Sequence, residues 1–273
     1  MTGGIETAAW RVMGRSVCGA SHRRRGRPNQ DAIEWSCTPG GVAIAVADGH
    51  GASACFRSAD GAAFAVRAAN QLLAEFVERP RDIPAAEWIP EELVTRWREL
   101  VTAHTAAHPI ASNGAGPSDP WLPYGTTILA VLATDTHLVY LQLGDGDILI
   151  VSKTGDVVRP WPKDPRLLGV ETTSLCRAEA AADTRVFVQP IGDSAPALII
   201  LSTDGYCNSF RDDEGFVAIG RDLLQMIRED GLDKVEGKLE HWLNEATEFG
   251  SGDDITLGLL CRSAAMGGAR DGG

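Results

Sequence analysis

The stretch Gly41-Val42-Ala43-Ile44-Ala45-Val46-Ala47-Asp48-Gly49-His50-Gly51 decides the reading of this 273-residue chain. Val42, Ile44 and Val46 alternate with three alanines, which is the period of a β-strand with large residues on one face and small ones on the other. An aspartate follows the strand at once, and a glycine on each side of His50 makes a tight turn there. Working outward, residues 126–133, 137–143 and 147–152 are three apolar runs joined by short polar turns, the pattern of an antiparallel meander. Residues 197–202 and 255–261 add two further apolar runs.

Helical spacing comes in pairs. Phe64, Ala68, Leu72 and Phe76 stack on one face, and Leu93, Trp97, Leu100 and His104 repeat the pattern after Pro90. Leu223, Leu224 and Ile227 mark a third helix, and Val235, Leu239, Trp242, Leu243 and Ala246 a fourth. Strands, two helices, strands, two helices and a last strand do not make the alternation of a doubly wound sheet, so the order favours an α+β sandwich. Residues 106–123 are rich in Gly, Pro and Ser and read as a surface loop. Residues 1–262 read as a single domain, and 263–273 as a flexible tail.

Composition limits the function. The apolar fraction of 44%, with 30 Gly and 14 Pro, suits a globular domain and excludes a disordered or low-complexity chain. Lys and Arg number 25 against 37 Asp and Glu, a net charge of -12 that repels nucleic-acid backbones. The opening MTGGIETAAWR has neither the basic nor the apolar part of a signal peptide, and no apolar run is long enough to span a bilayer. Six cysteines without any CxxC pair read as reduced, mostly buried thiols and point to the cytoplasm.

Acids fall at strand ends. Asp48 follows residues 41–47, Asp145 follows 137–144, Asp204 follows 198–203, and Asp253 and Asp254 precede 255–261. If neighbouring strands are antiparallel, Asp48, Asp204 and Asp253 gather on one rim. Carboxylates gathered this way repel one another unless a cation sits among them, and hard divalent ions with oxygen ligands serve that purpose. Taken singly, an Asp-Gly pair is an ordinary hairpin turn.

In order and spacing, Asn29-Gln30-Asp31, Asp48-Gly49-His50-Gly51, Gly125-Thr126-Thr127, Gly144-Asp145, Asp204-Gly205 and Asp253-Asp254-Ile255-Thr256 resemble the metal-dependent serine/threonine phosphatases of the protein phosphatase 2C family. The resemblance covers about residues 10–262 and suits a divergent bacterial branch. It implies a four-layer αββα sandwich, two antiparallel sheets flanked by helix pairs. It also implies two Mn²⁺ or Mg²⁺ ions between the sheets: Asp48 bridging them, the Gly49 carbonyl on the second, Asp204 and Asp253 on the first, and Asp145 near a third. Such a pair of ions activates a water for in-line attack on phosphorus without a phosphoenzyme, while His50 protonates the leaving oxygen. The substrate implied is a phosphorylated protein, with a serine/threonine kinase as counterpart, and neither nucleic acid nor membrane as partner.

Departures from the family pattern stand beside the match. Gln30 replaces the usual Glu, which removes a charge at the second metal and leaves Asp31 as a compensating ligand. The usual phosphate-binding arginine falls at Gly26, so Arg25 and Arg27 are the candidates for that role, while Arg23 and Arg24 read as a solvated basic loop. The arginine usual after the Gly-Asp motif is missing, and residues 159–170 match the substrate-side flap poorly. These departures leave a catalytically weak phosphoprotein-binding module as the alternative.

Overall fold

The computed structural model describes residues 5–7, 9–38, 40–79, 84–110, 119–167, 172–192 and 195–266. The strands are β1 (Ile5–Glu6), β2 (Trp10–Val17), β3 (Ala32–Thr38), β4 (Gly41–Ala47), β5 (Ile128–Thr134), β6 (His137–Leu143), β7 (Asp147–Val151), β8 (Val157–Val158), β9 (Arg185–Pro190), β10 (Leu198–Ser202) and β11 (Ile255–Arg262). Helices are α1 (Ala20–Arg24), α2 (Ser58–Glu78), α3 (Ala85–Ala107), α4 (Ala180–Asp183), α5 (Asp204–Cys207), α6 (Asp213–Asp230), α7 (Leu232–Phe249) and α8 (Ser263–Met266). One antiparallel sheet has the order β1-β2-β11-β10-β7-β8 and the other β3-β4-β5-β6-β9.

The two faces of β4 explain the layering. Its large residues Val42, Ile44 and Val46 pack between the sheets with Trp10, Tyr140, Ile199 and Leu201. Its small residues Ala43, Ala45 and Ala47 let α2 approach closely through Ala62, Ala65 and Ala69, with Leu72 and Trp97 filling beyond. On the far side, Leu223, Leu224 and Ile227 of α6 and Leu239 and Leu243 of α7 cover Ile200, Leu257 and Leu259. Three apolar layers therefore hold four layers of structure, the expected αββα sandwich. A fully buried side chain such as Ile44 contributes roughly 1.5–3 kcal/mol.

Two expectations are corrected. The meander stops after β6, because β7 crosses to the other sheet and pairs with β10 and β8. The crossing is made at Gly144, whose φ is +106° and whose absent Cβ would lie 2.5 Å from Thr127. Only glycine takes that conformation in that space. The second correction concerns Pro90, which is inside α3 rather than at its start. It forgoes one bond to the preceding turn, and burial of Trp88, Ile89 and Leu93 holds the first turns in place.

Of the expected loop 106–123, residues 106 and 107 belong to α3, Leu122–Tyr124 form a 3₁₀ turn, and 111–118 lie outside the described residues. Ser263–Met266 continue as the short helix α8 after β11, and 267–273 lie outside the described residues. No helix among the described residues is long and apolar enough to cross a membrane.

Candidate metal centre

Strand register brings the acids to one rim of the sandwich. Ala32 at the start of β3 pairs with Ala47 at the end of β4, and Ile128 pairs with Leu143. In the other sheet Ser202 pairs with both Asp147 and Leu257, and Ile255 with Val17. Asp31, Asp48, Asp145, Asp204, Asp253 and Asp254 all belong to these ends.

Asp48, Asp145 and Asp204 each offer an oxygen within 4.8 Å of the other two. Asp253 instead groups with His22 and Asp254, beside the same cleft. The tight cluster thus contains Asp145, which the family resemblance had assigned to a third ion, rather than Asp253.

The backbone of Asp48 is held from both sides. Its N–H donates to Thr127 Oγ1 at 3.0 Å, and its carbonyl accepts from Thr127 N at 2.9 Å and Thr126 Oγ1 at 2.8 Å. The Gly-Thr-Thr motif therefore fixes the turn after β4. Next along, a Cβ on Gly49 would lie 2.5 Å from the Gln30 carbonyl, so only glycine lets the two loops meet. Asp204 accepts from Asn208 Nδ2 at 3.0 Å.

Asp254 differs from its neighbours because its oxygens are already engaged. They accept from the N–H groups of Gly19 at 2.6 Å and Gln30 at 2.7 Å, and Nδ1 of His22 lies 2.9 Å away. Asp254 is a latch joining α1, the Gln30 loop and β11. Asp253 beside it is exposed.

The remaining carboxylates have no ion pair among the described residues. Burial, then the charges of Asp31 and Asp204, raise the pKa of Asp48 well above the carboxylate range. Burial and Asp145 push Asp204 up to about 6, and burial pushes Asp31 up to about 8. Asp31 Oδ2 accepts from Thr203 and Thr256, both at 2.8 Å, while its Oδ1 is buried without a partner. Gln30 donates from Nε2 to Ser58 Oγ at 2.6 Å and leaves Oε1 buried and unpartnered. Oxygen donors in excess, two buried orphan oxygens and no lysine or arginine paired with these carboxylates among the described residues fit a hard divalent ion.

Gln30, Asp48, Asp145, Asp204 and Asp253 line a cleft of about 620 Å³, with the Asp31 carboxyl buried behind them. His50 is in its wall, with its backbone N–H donating to the Gly125 carbonyl at 3.0 Å. Burial lowers the His50 pKa, Asp145 opposes that shift and Arg177 adds to it. Arg25 and Arg27 line the cleft with guanidiniums free of ion pairs among the described residues, and so does Arg177. Arg23 and Arg24 are drawn away to Glu248. Sequence reasoning missed Arg177, because the weakly patterned residues before it give no strand or helix from which to place it. It also missed the latch formed by His22 and Asp254, since His22 is separated from its partner by nearly the whole chain.

The fold has known counterparts. The catalytic domain of the serine/threonine protein phosphatase PstP, in complex with two manganese ions, matches with a TM-score of 0.61 at 16% identity, over 93% of this chain and 98% of that one. The serine/threonine phosphatase Stp1 from Staphylococcus aureus matches with a TM-score of 0.61 at 14% identity, over 96% and 97%. RsbX in complex with magnesium matches with a TM-score of 0.52 at 14% identity, over 96% and 100%. At such identities the likeness bears on the fold. No curated protein matches by sequence. The family model described as protein phosphatase 2C matches residues 18–244, most of the chain, and the chain belongs to that family.

Proposed function

We propose that the protein hydrolyses phosphoserine and phosphothreonine in other proteins with the help of two divalent cations, Mn²⁺ or Mg²⁺. The observation carrying this reading is the meeting, in one cleft, of carboxylates and three arginines that form no ion pair with one another or with any other group among the described residues. Asp48, Asp204 and Asp145, with the Gly49 carbonyl, Asp31 and Asp253, are the groups that would hold the ions. Bound there, the cations supply positive charge and an activated water for attack at phosphorus. Arg25, Arg27 and Arg177 bind the phosphate oxygens and set the ester for in-line displacement. His50 passes a proton to the departing seryl or threonyl oxygen; the dianion entering the cleft counters the burial that disfavours its charged form. A protein kinase that installs the phosphate is the implied counterpart.

Hydrolysis of a phosphothreonine peptide with Mn²⁺, with Mg²⁺ and with chelator tests the reading. Metal-dependent turnover is expected, and its absence with both metals would overturn it. Gln30 and Gly26 favour one second reading, a phosphoprotein-binding module of the same fold. That reading requires phosphopeptide binding without turnover.

A further inference from the structure

Two of the six cysteines share the wall of the cleft. The point where a Cβ on Gly125 would stand lies 2.9 Å from Cys55 Sγ and 3.4 Å from Cys176 Sγ. Both side chains line the cleft, at 4% and 3% exposure, and both are free thiols. No other cysteine lines it. Their segments are separate. Cys55 is in the turn before α2, with its N–H donating to Ala52 and its carbonyl accepting from Ser58. Cys176 follows Ser174 and Leu175, which bond to Thr126 from the other side. His50 precedes one cysteine by a short turn, and Arg177 directly follows the other.

We infer that Cys55 and Cys176 form a reversible disulfide when the protein meets a peroxide, clamping the cleft wall between His50 and Arg177. The step balances. One thiolate attacks a peroxide oxygen and becomes a sulfenic acid, releasing water. The second sulfur then attacks the sulfenic sulfur and expels another water. The two thiols give up two electrons and two protons, and one hydrogen peroxide becomes two waters. Burial raises the pKa of both thiols and the Arg177 charge opposes that shift in both, while at Cys176 the Ser174 hydroxyl, 3.3 Å from the sulfur, opposes it further. An S–S bond near 2.05 Å draws the two segments together. Reduced thiols are the resting state of an intracellular protein, where disulfides are usually transient sensors.

The test treats the full chain with hydrogen peroxide, counts thiols after denaturation and maps peptides without reduction. The thiol count should fall from six by two, with the Cys55 peptide joined to the Cys176 peptide and lighter by two hydrogens. C55S and C176S should each lose that linked species, C37S should keep it, and a dithiol should reverse it. A full thiol count after treatment, over-oxidation of either sulfur without linkage, or a bridge between other cysteines would overturn the proposal. These readouts are independent of phosphatase activity. Where phosphopeptide turnover is present, it should fall at least about tenfold on bridging, as ångström-scale displacement of reacting groups costs that or more. A bridge with unchanged turnover would overturn the clamp.

Discussion

Asp145 and Asp147 are two residues apart, yet the chain treats them oppositely. Asp147 is 5% exposed and its charge is met by Arg159, which also binds Asp213 at 2.6 Å, with Lys163 2.8 Å from Asp213. Arg159 holds the Asp213 carboxyl down to about 2. Across the Gly146 turn, Asp145 joins Asp48 and Asp204, where no lysine or arginine pairs with any of them among the described residues and the pKa values of Asp48 and Asp204 rise. One group of acids is neutralised by the protein itself; the other keeps its oxygens open on a cleft. The same sequence thus supplies cations to Asp147 and Asp213 and leaves the acids at the rim to repel one another.

The largest effect should come from Asp204→Asn. Removing a charge from the open group should lower phosphopeptide turnover at least about a hundredfold. Its thermal midpoint in chelator should equal or exceed that of the parent, because a repulsive carboxylate has gone. Arg159→Met tests the closed group and should do the reverse. Leaving buried Asp147 without its guanidinium should cost about 3 kcal/mol in denaturant unfolding, with Lys163 too distant at 3.9 Å to replace it fully. The partner at Asp213 is half exposed and adds little to that figure.

The third effect is a pH slope. In the metal-free protein Asp204 and Asp31 titrate at about 6 and about 8, both above the ordinary carboxylate value, chiefly through burial. The folded state therefore binds more protons than the unfolded one between pH 4 and 8. Stability is full below the ordinary carboxylate pKa and is lost as pH rises through those values. Denaturant melts in chelator should weaken from pH 5 to pH 8, and millimolar Mn²⁺ should flatten that fall. A metal-free stability that rises over this interval would contradict the assignment. Smallest is Gln30→Glu, which adds a charge where an amide oxygen is now unpartnered. It should lower the Mn²⁺ concentration for half-maximal turnover several-fold, and superimposable titrations would remove residue 30 from the site.

Much of this was legible in the sequence for physical reasons. β4 alternates between large and small side chains because its faces meet a sheet and a helix, so its period survives in the residues. The acids at strand ends were legible because antiparallel register carries chain ends to common rims. β2, β3 and β9 were missed, since Arg11, Gly14 and Arg15 interrupt the first, Glu34, Ser36 and Cys37 the second, and half-buried Arg185, Val186 and Val188 blur the third. The departure of β7 from the meander was hidden too, because it depends on the left-handed turn at Gly144 and not on any apolar pattern. Asp253 and Asp254 look alike in sequence. Only the fold shows that Asp254 is consumed by Gly19, Gln30 and His22 while Asp253 faces solvent.

The central claim is that the open carboxylates are kept for divalent cations. Titration calorimetry with Mn²⁺ at neutral pH, repeated in two buffers of different ionisation heat, tests it most directly. Saturable binding with release of protons is expected, because carboxyl groups held protonated by burial and mutual repulsion must ionise to bind a cation, and binding should be weaker in Asp204→Asn. Absence of binding at millimolar Mn²⁺, or binding that is unchanged in the variant and releases no protons, would contradict it.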